Sequence, residues 1–117
     1  MLREAVLDIE DWRKEIDRLD ELLLELLNRR STCAIEIGRI KRQAGLPVYS
    51  PSREKEVIEH VTQLNNGPLD HAAVRRLFER IIDESRSIER VTVDREAEEA
   101  GKDKAGQSHK ARRSRKV

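Results

Sequence analysis

The chain has 117 residues, a length that suits one domain, with 40% charged and only 3% aromatic residues and a formal net charge of +1. That near-neutral balance gives no global case for nucleic acid. The single cysteine excludes an intramolecular disulfide framework and fits a reducing compartment. No apolar run approaches the ~18 residues of a membrane span, and Met1-Leu2-Arg3-Glu4 lacks the apolar core of a secretory signal, so the expected location is the cytoplasm.

Leu, Ile, Glu, Arg and Lys dominate, which favours helices. The first predicted helix runs from about 9 to 44, with Asp8 as its N-cap. Its apolar residues fall at Ile9, Trp12, Ile16, Leu19, Leu23, Leu26, Cys33, Ile37 and Ile40. The steps alternate three and four, the heptad pattern of one helix packed along another. Gly45 suits the C-cap, Pro47 follows it, and Lys41 and Arg42 favour that end of the dipole. A helix of ~35 residues is about 50 Å long, whereas a compact domain of this size has a radius of gyration near 13 Å. The rest of the chain cannot cover such a rod, so the seam is expected to meet its counterpart in a homodimer.

Ser50-Pro51 then starts a second helix, about 51–65, with Val57, Ile58, Val61 and Leu64 on one face. Asn65-Asn66-Gly67-Pro68 breaks it. Asp70 caps a third helix, about 70–95, with Val74, Leu77, Phe78, Ile81, Ile82 and Ile88 as its stripe. The helical domain is thus expected over 1–97. Residues 98–117 are expected to form a disordered basic tail, read as solubilising, with an electrostatic contact to an anionic partner as the alternative.

Several inward positions are polar. Arg30 stands on the seam where an apolar residue belongs. A guanidinium is always charged and expensive to bury unpaired. Lys41 follows by eleven residues, three turns plus roughly 20°, so both cations project from nearly one line. Ser85 and Glu89 continue the Phe78–Ile82 stripe at spacings of three and four. Arg53 and Glu54 sit in the first turn of the second helix, where backbone N–H groups also favour anions. A polar seam residue is often a register device. Its coincidence with hydrogen-bonding groups on three helices points instead to one anion pocket. His60, His71 and His109 have no partner at ligand spacing, and Cys33 is alone and reads as a small core residue, so no metal site is expected. There is no nucleophile elbow and no phosphate loop.

Five ordered segments carry a resemblance. They are Trp12-Arg13-Lys14-Glu15-Ile16-Asp17-Arg18-Leu19-Asp20, Leu26-Leu27-Asn28-Arg29-Arg30, Ile37-Gly38-Arg39-Ile40-Lys41, Pro47-Val48-Tyr49-Ser50-Pro51-Ser52-Arg53-Glu54, and Leu77-Phe78-Glu79-Arg80-Ile81-Ile82-Asp83-Glu84-Ser85. Together, over roughly 9–90, the chain resembles the all-helical chorismate mutase family, the AroQ class. The resemblance implies an all-α, intertwined homodimer of three-helix protomers. It also implies rearrangement of chorismate to prephenate, on the route to phenylalanine and tyrosine, without cofactor or metal.

The resemblance further implies that Arg13 reaches the partner's pocket, while Arg30, Lys41, Ser50, Arg53, Glu54, Ser85 and Glu89 line the chain's own. Arg13 and Arg30 would bind the substrate's carboxylates, and Lys41 would donate to the ether oxygen. Arg53 would support the anion, and Glu54 would accept from the ring hydroxyl. Two positions depart from the common bacterial pattern. Glu89 stands where Gln is frequent, so it is expected to act protonated. Ser50 stands where Asp is frequent. The alternatives are isochorismate-pyruvate lyase, which shares this fold and makes salicylate, and a non-catalytic coiled-coil dimer.

Overall fold

The computed structural model describes residues 2–114, with side chains described for 8–103. Three helices make up the fold: α1 (Leu2–Gln43), α2 (Pro51–Leu64) and α3 (His71–Ser114). No strand occurs among the described residues.

The start of α1 lies ahead of the expected N-cap. Asp8 is inside the helix, because Leu2-Arg3-Glu4-Ala5 holds nothing that breaks it. Its end falls where expected. Gly45 takes φ +70°, a backbone that L side chains rarely adopt. Gly45 N–H then donates to Arg42 O at 3.2 Å and Leu46 N–H to Lys41 O at 2.7 Å. This paired pattern satisfies carbonyls that the helix end leaves free.

Ser50 occupies the N-cap of α2 in extended geometry, with Pro51 following, but its hydroxyl makes no capping bond. It faces Ser52 Oγ at 3.4 Å instead. Asp70 does cap α3, accepting from Ala73 N–H at 2.7 Å.

α3 departs most from expectation. It runs on to Ser114 rather than ending near residue 95. Residues 94–105 carry Arg, Glu, Ala and Lys with a single Gly and no Pro, so helix propensity persists after the apolar stripe stops. The continuation is also tied to α1. Arg39 Nε donates to both Glu96 carboxylate oxygens, at 3.1 and 3.0 Å, and Arg42 Nη1 donates to Val93 O at 3.2 Å. The bond from Arg39 holds the Glu96 carboxyl below its ordinary range, and the bond to Glu96 holds the Arg39 guanidinium above its own. The basic tail is therefore helical through Ser114. The remaining part of the disorder expectation, residues 115–117, lies outside the described residues.

α3 packs against both α1 and α2. The buried apolar residues among those described are Val74, Ile82 and Val93, all on α3. Leu77 and Ile88 of the expected stripe stay exposed in the single chain. The molecule measures 88 × 36 × 14 Å with a radius of gyration of 22.9 Å, far above the ~13 Å of a compact domain of this length. Ile9, Trp12, Ile16, Leu19, Leu23 and Leu26 line the α1 seam in the open, Trp12 at 71% exposure.

Candidate active site

The crossing of α1 over α3, with the N-terminal turn of α2 alongside, encloses a cleft of about 470 Å³. Seven of the eight anticipated residues line it: Arg30, Lys41, Ser50, Arg53, Glu54, Ser85 and Glu89. Arg13 does not. It pairs with Glu10 at 2.8 Å on the exposed outer half of α1. At 1.5 Å per residue it stands about 26 Å along the axis from Arg30.

Arg30 and Lys41 share the inner line of α1, as their spacing requires. Arg30 Nη1 donates to Ser85 Oγ, which fixes the guanidinium against α3. Most of its five donors stay available to an anion. Lys41 Nζ donates to Val48 O at 2.8 Å, in the loop after α1, and lies 3.5 Å from Glu89 Oε1. A third ammonium N–H is left for the cleft.

Glu89 is the one buried charged residue among those described, 6% exposed. Its Oε1 is buried with no hydrogen-bond partner. A buried oxygen without a hydrogen bond costs free energy, which a bound ligand or water that donates to it would recover.

The space for Glu89 is made by Gly38. Any Cβ on Gly38 would collide with Glu89 Cγ and lie 3.1 Å from Val93 Cγ2. The glycine therefore lets α3 bring its carboxylate against α1.

Arg53 and Ser50 stand at the rim. Arg53 is 71% exposed and donates to Glu56 at 3.2 Å. Glu54 points inward, and its Oε1 accepts from Arg86 Nη2 at 2.9 Å.

Sequence reasoning missed Arg86, Gly38 and the Val48 carbonyl. Arg86 had a signal, since it follows Ile82 by four residues on the inward stripe. Cys33 also stands at the cleft. It is exposed in the single chain and is part of the lining. Among the described residues no cluster of metal-ligating side chains occurs, and no helix is long and apolar enough to cross a membrane.

Residues 12–90 match the model of the family described as Chorismate mutase type II. The bifunctional chorismate mutase/prephenate dehydratase of Pseudomonas aeruginosa is 45% identical over 82 residues, which cover 66% of this chain and 22% of that protein. This chain spans about a fifth of the length of such bifunctional relatives. Among solved structures, a chorismate mutase from Thermus thermophilus superposes with a TM-score of 0.69 at 39% identity, over 70% of this chain and 93% of that one. The Helicobacter pylori chorismate mutase in complex with prephenate gives 0.69 at 29% identity, over 74% and 93%. A sequence match over most of the three-helix core, with the same all-helical architecture in solved relatives, makes this chain a member of the chorismate mutase type II family.

Proposed function

We propose that the protein is a chorismate mutase, rearranging chorismate to prephenate as a cytoplasmic homodimer. The observation that carries this is the cleft itself. Arg30 and Lys41 face a buried Glu89 whose Oε1 lies 3.5 Å from the Lys41 ammonium and makes no hydrogen bond. The likeness to the prephenate-bound relative supports the same assignment.

Chorismate is a small dianion with two carboxylates, an ether oxygen and a ring hydroxyl. Its rearrangement breaks one C–O bond and forms one C–C bond within a single molecule, and no proton is transferred. The protein's work is therefore to hold a compact reactive shape and to stabilise charge growing on the ether oxygen. Arg30, braced by Ser85, binds one carboxylate through its planar fork. Lys41 donates to the ether oxygen with the N–H it does not spend on Val48. Glu89, carrying a proton on the carboxyl group that faces Lys41, donates the second bond there. An ionised Glu89 would place negative charge beside developing negative charge. Glu54 accepts from the ring hydroxyl, and Ser50 and Arg53 close the rim.

Arg13 is too far from this cleft to serve it. We assign it to the cleft of a second copy, brought there when the exposed α1 seams pack together. A stable folded monomer at micromolar concentration in sedimentation would refute that assembly.

Purified protein should convert chorismate to prephenate and leave isochorismate unchanged. Release of salicylate from isochorismate would mark the lyase instead, and turnover of neither substrate would leave the coiled-coil scaffold reading in its place.

A further inference from the structure

Arg86 has no counterpart in the scheme above, yet three elements converge on it. Its Nη2 donates to Glu54 Oε1 of α2 at 2.9 Å and to Asp83 Oδ1 of its own helix at 2.8 Å. Its guanidinium lies 4.7 Å from the centroid of the Tyr49 ring, in the loop that leads to α2. Arg86 and Glu54 are both largely covered, with side chains 29% and 26% exposed. Exposed ion pairs such as Arg13–Glu10, Arg18–Glu15, Arg53–Glu56 and Arg80–Glu84 join residues one turn apart on a single helix. The Arg86–Glu54 pair instead joins two helices at the wall of the cleft.

We propose that Arg86 is a positioning residue for substrate recognition, holding Glu54 so that the carboxylate oxygen not bonded to Arg86 meets the ring hydroxyl. This rests on the chorismate mutase reading of the cleft. The chemistry follows from the carboxylate's two oxygens. A guanidinium on Oε1 fixes the plane of the group, and the stacked Tyr49 and the bond to Asp83 fix the guanidinium. Without Arg86, Glu54 sits in the first turn of α2 with no partner across the cleft, free to take other rotamers. A contact made equally to substrate and transition state acts on KM rather than kcat.

The test uses the full chain and its dimer, with chorismate and with a synthetic analogue in which hydrogen replaces the ring hydroxyl. Arg86→Leu should raise KM for chorismate about tenfold and keep kcat within about threefold of wild type. In a Glu54→Gln background the same change should raise KM less than twofold, and Arg86→Lys should restore part of the loss. On the analogue, wild type and Arg86→Leu should have equal KM. An unchanged KM for chorismate in Arg86→Leu, while wild type turns over normally, overturns this inference alone. Equal losses on chorismate and the analogue also overturn it, because they mark a merely structural role. Wild-type protein that leaves chorismate unchanged overturns the reading beneath it as well.

Discussion

Gly38→Ala separates the stability of the fold from the geometry of the cleft. The added methyl would meet Glu89 Cγ well inside van der Waals contact and Val93 Cγ2 at 3.1 Å. Ordinary carbon–carbon contact is ~3.5–4.0 Å, so Glu89 must retreat by roughly 1 Å. Two stability terms oppose each other. Alanine gains about 1 kcal/mol of helix propensity over glycine, whereas overpacking costs about 1–3 kcal/mol. The net loss is then at most about 2 kcal/mol, and thermal unfolding should shift by several degrees while the dimer persists. Activity is far more exposed, because a misplacement of about 1 Å can cost on the order of 100-fold. The expected result is kcat for chorismate lower by about two orders of magnitude with KM changed little, since Arg30 is untouched. Steady-state rates beside thermal unfolding of the same sample measure both. A kcat within threefold of wild type would refute the claim that Gly38 makes room for a working Glu89.

The other predictions concern single contacts. Arg30→Ala should keep the dimer and lower kcat/KM by about 10²–10⁴-fold, from two charge-assisted bonds at roughly 1.5–3 kcal/mol each; altered sedimentation with activity retained would instead identify a register device. Glu89→Gln, which keeps a donor at this position, should retain kcat for chorismate within about threefold of wild type, whereas Glu89→Ala should lower it by about 10²–10³-fold; equal losses in the two variants would sink the assignment of Glu89 as a donor to the ether oxygen. Glu96 titrates below its ordinary range because Arg39 bonds it, so its contribution to stability is present above the unfolded value of about 4.3 and is lost as pH falls through the lower folded value. Thermal unfolding between pH 6 and 3 should therefore show a smaller acid loss in Glu96→Gln than in wild type, and equal losses would exclude the clamp.

The parts of this fold that follow local rules were legible in the chain. Gly45, Pro51 and Asp70 mark helix boundaries by backbone chemistry that needs no distant partner. Arg30 and Lys41 were found because a charge on an apolar seam contradicts its surroundings. What the sequence hid depends on contacts across helices. The burial of Glu89 beneath Gly38 joins residues 51 positions apart, and neither residue signals it alone. Arg86 was overlooked, although it stands on the Ile82 stripe, because an arginine one turn from Asp83 resembles any solvated pair; its partner Glu54 lies on α2. The end of α3 was misjudged because apolar periodicity stops near Val93 while helix propensity does not, and Arg39 and Arg42 hold the continuation from the side.

The protomer's own core is small for its length, with Val74, Ile82 and Val93 as the buried apolar residues among those described. Six seam residues, Ile9, Trp12, Ile16, Leu19, Leu23 and Leu26, stand 45–71% exposed. Covering such half-exposed side chains stabilises by about 1 kcal/mol each, half of the value for full burial. Over both chains that is on the order of 10 kcal/mol before the cost of association, comparable to the whole stability of a domain. The same seam carries Arg30, with Arg13 beside its outer end, about 26 Å away along the axis. In the dimer proposed above, closing this surface over the apolar residues would lay one chain's Arg13 along the other chain's helix. In that arrangement the cleft, which Arg30, Lys41, Arg53 and Arg86 already line, would receive a further cation only after the rods have paired. In such a dimer, a substitution that opens the seam would remove the Arg13 contact together with the apolar contact of the seam, so that pairing of the rods and completion of the cleft would fail together.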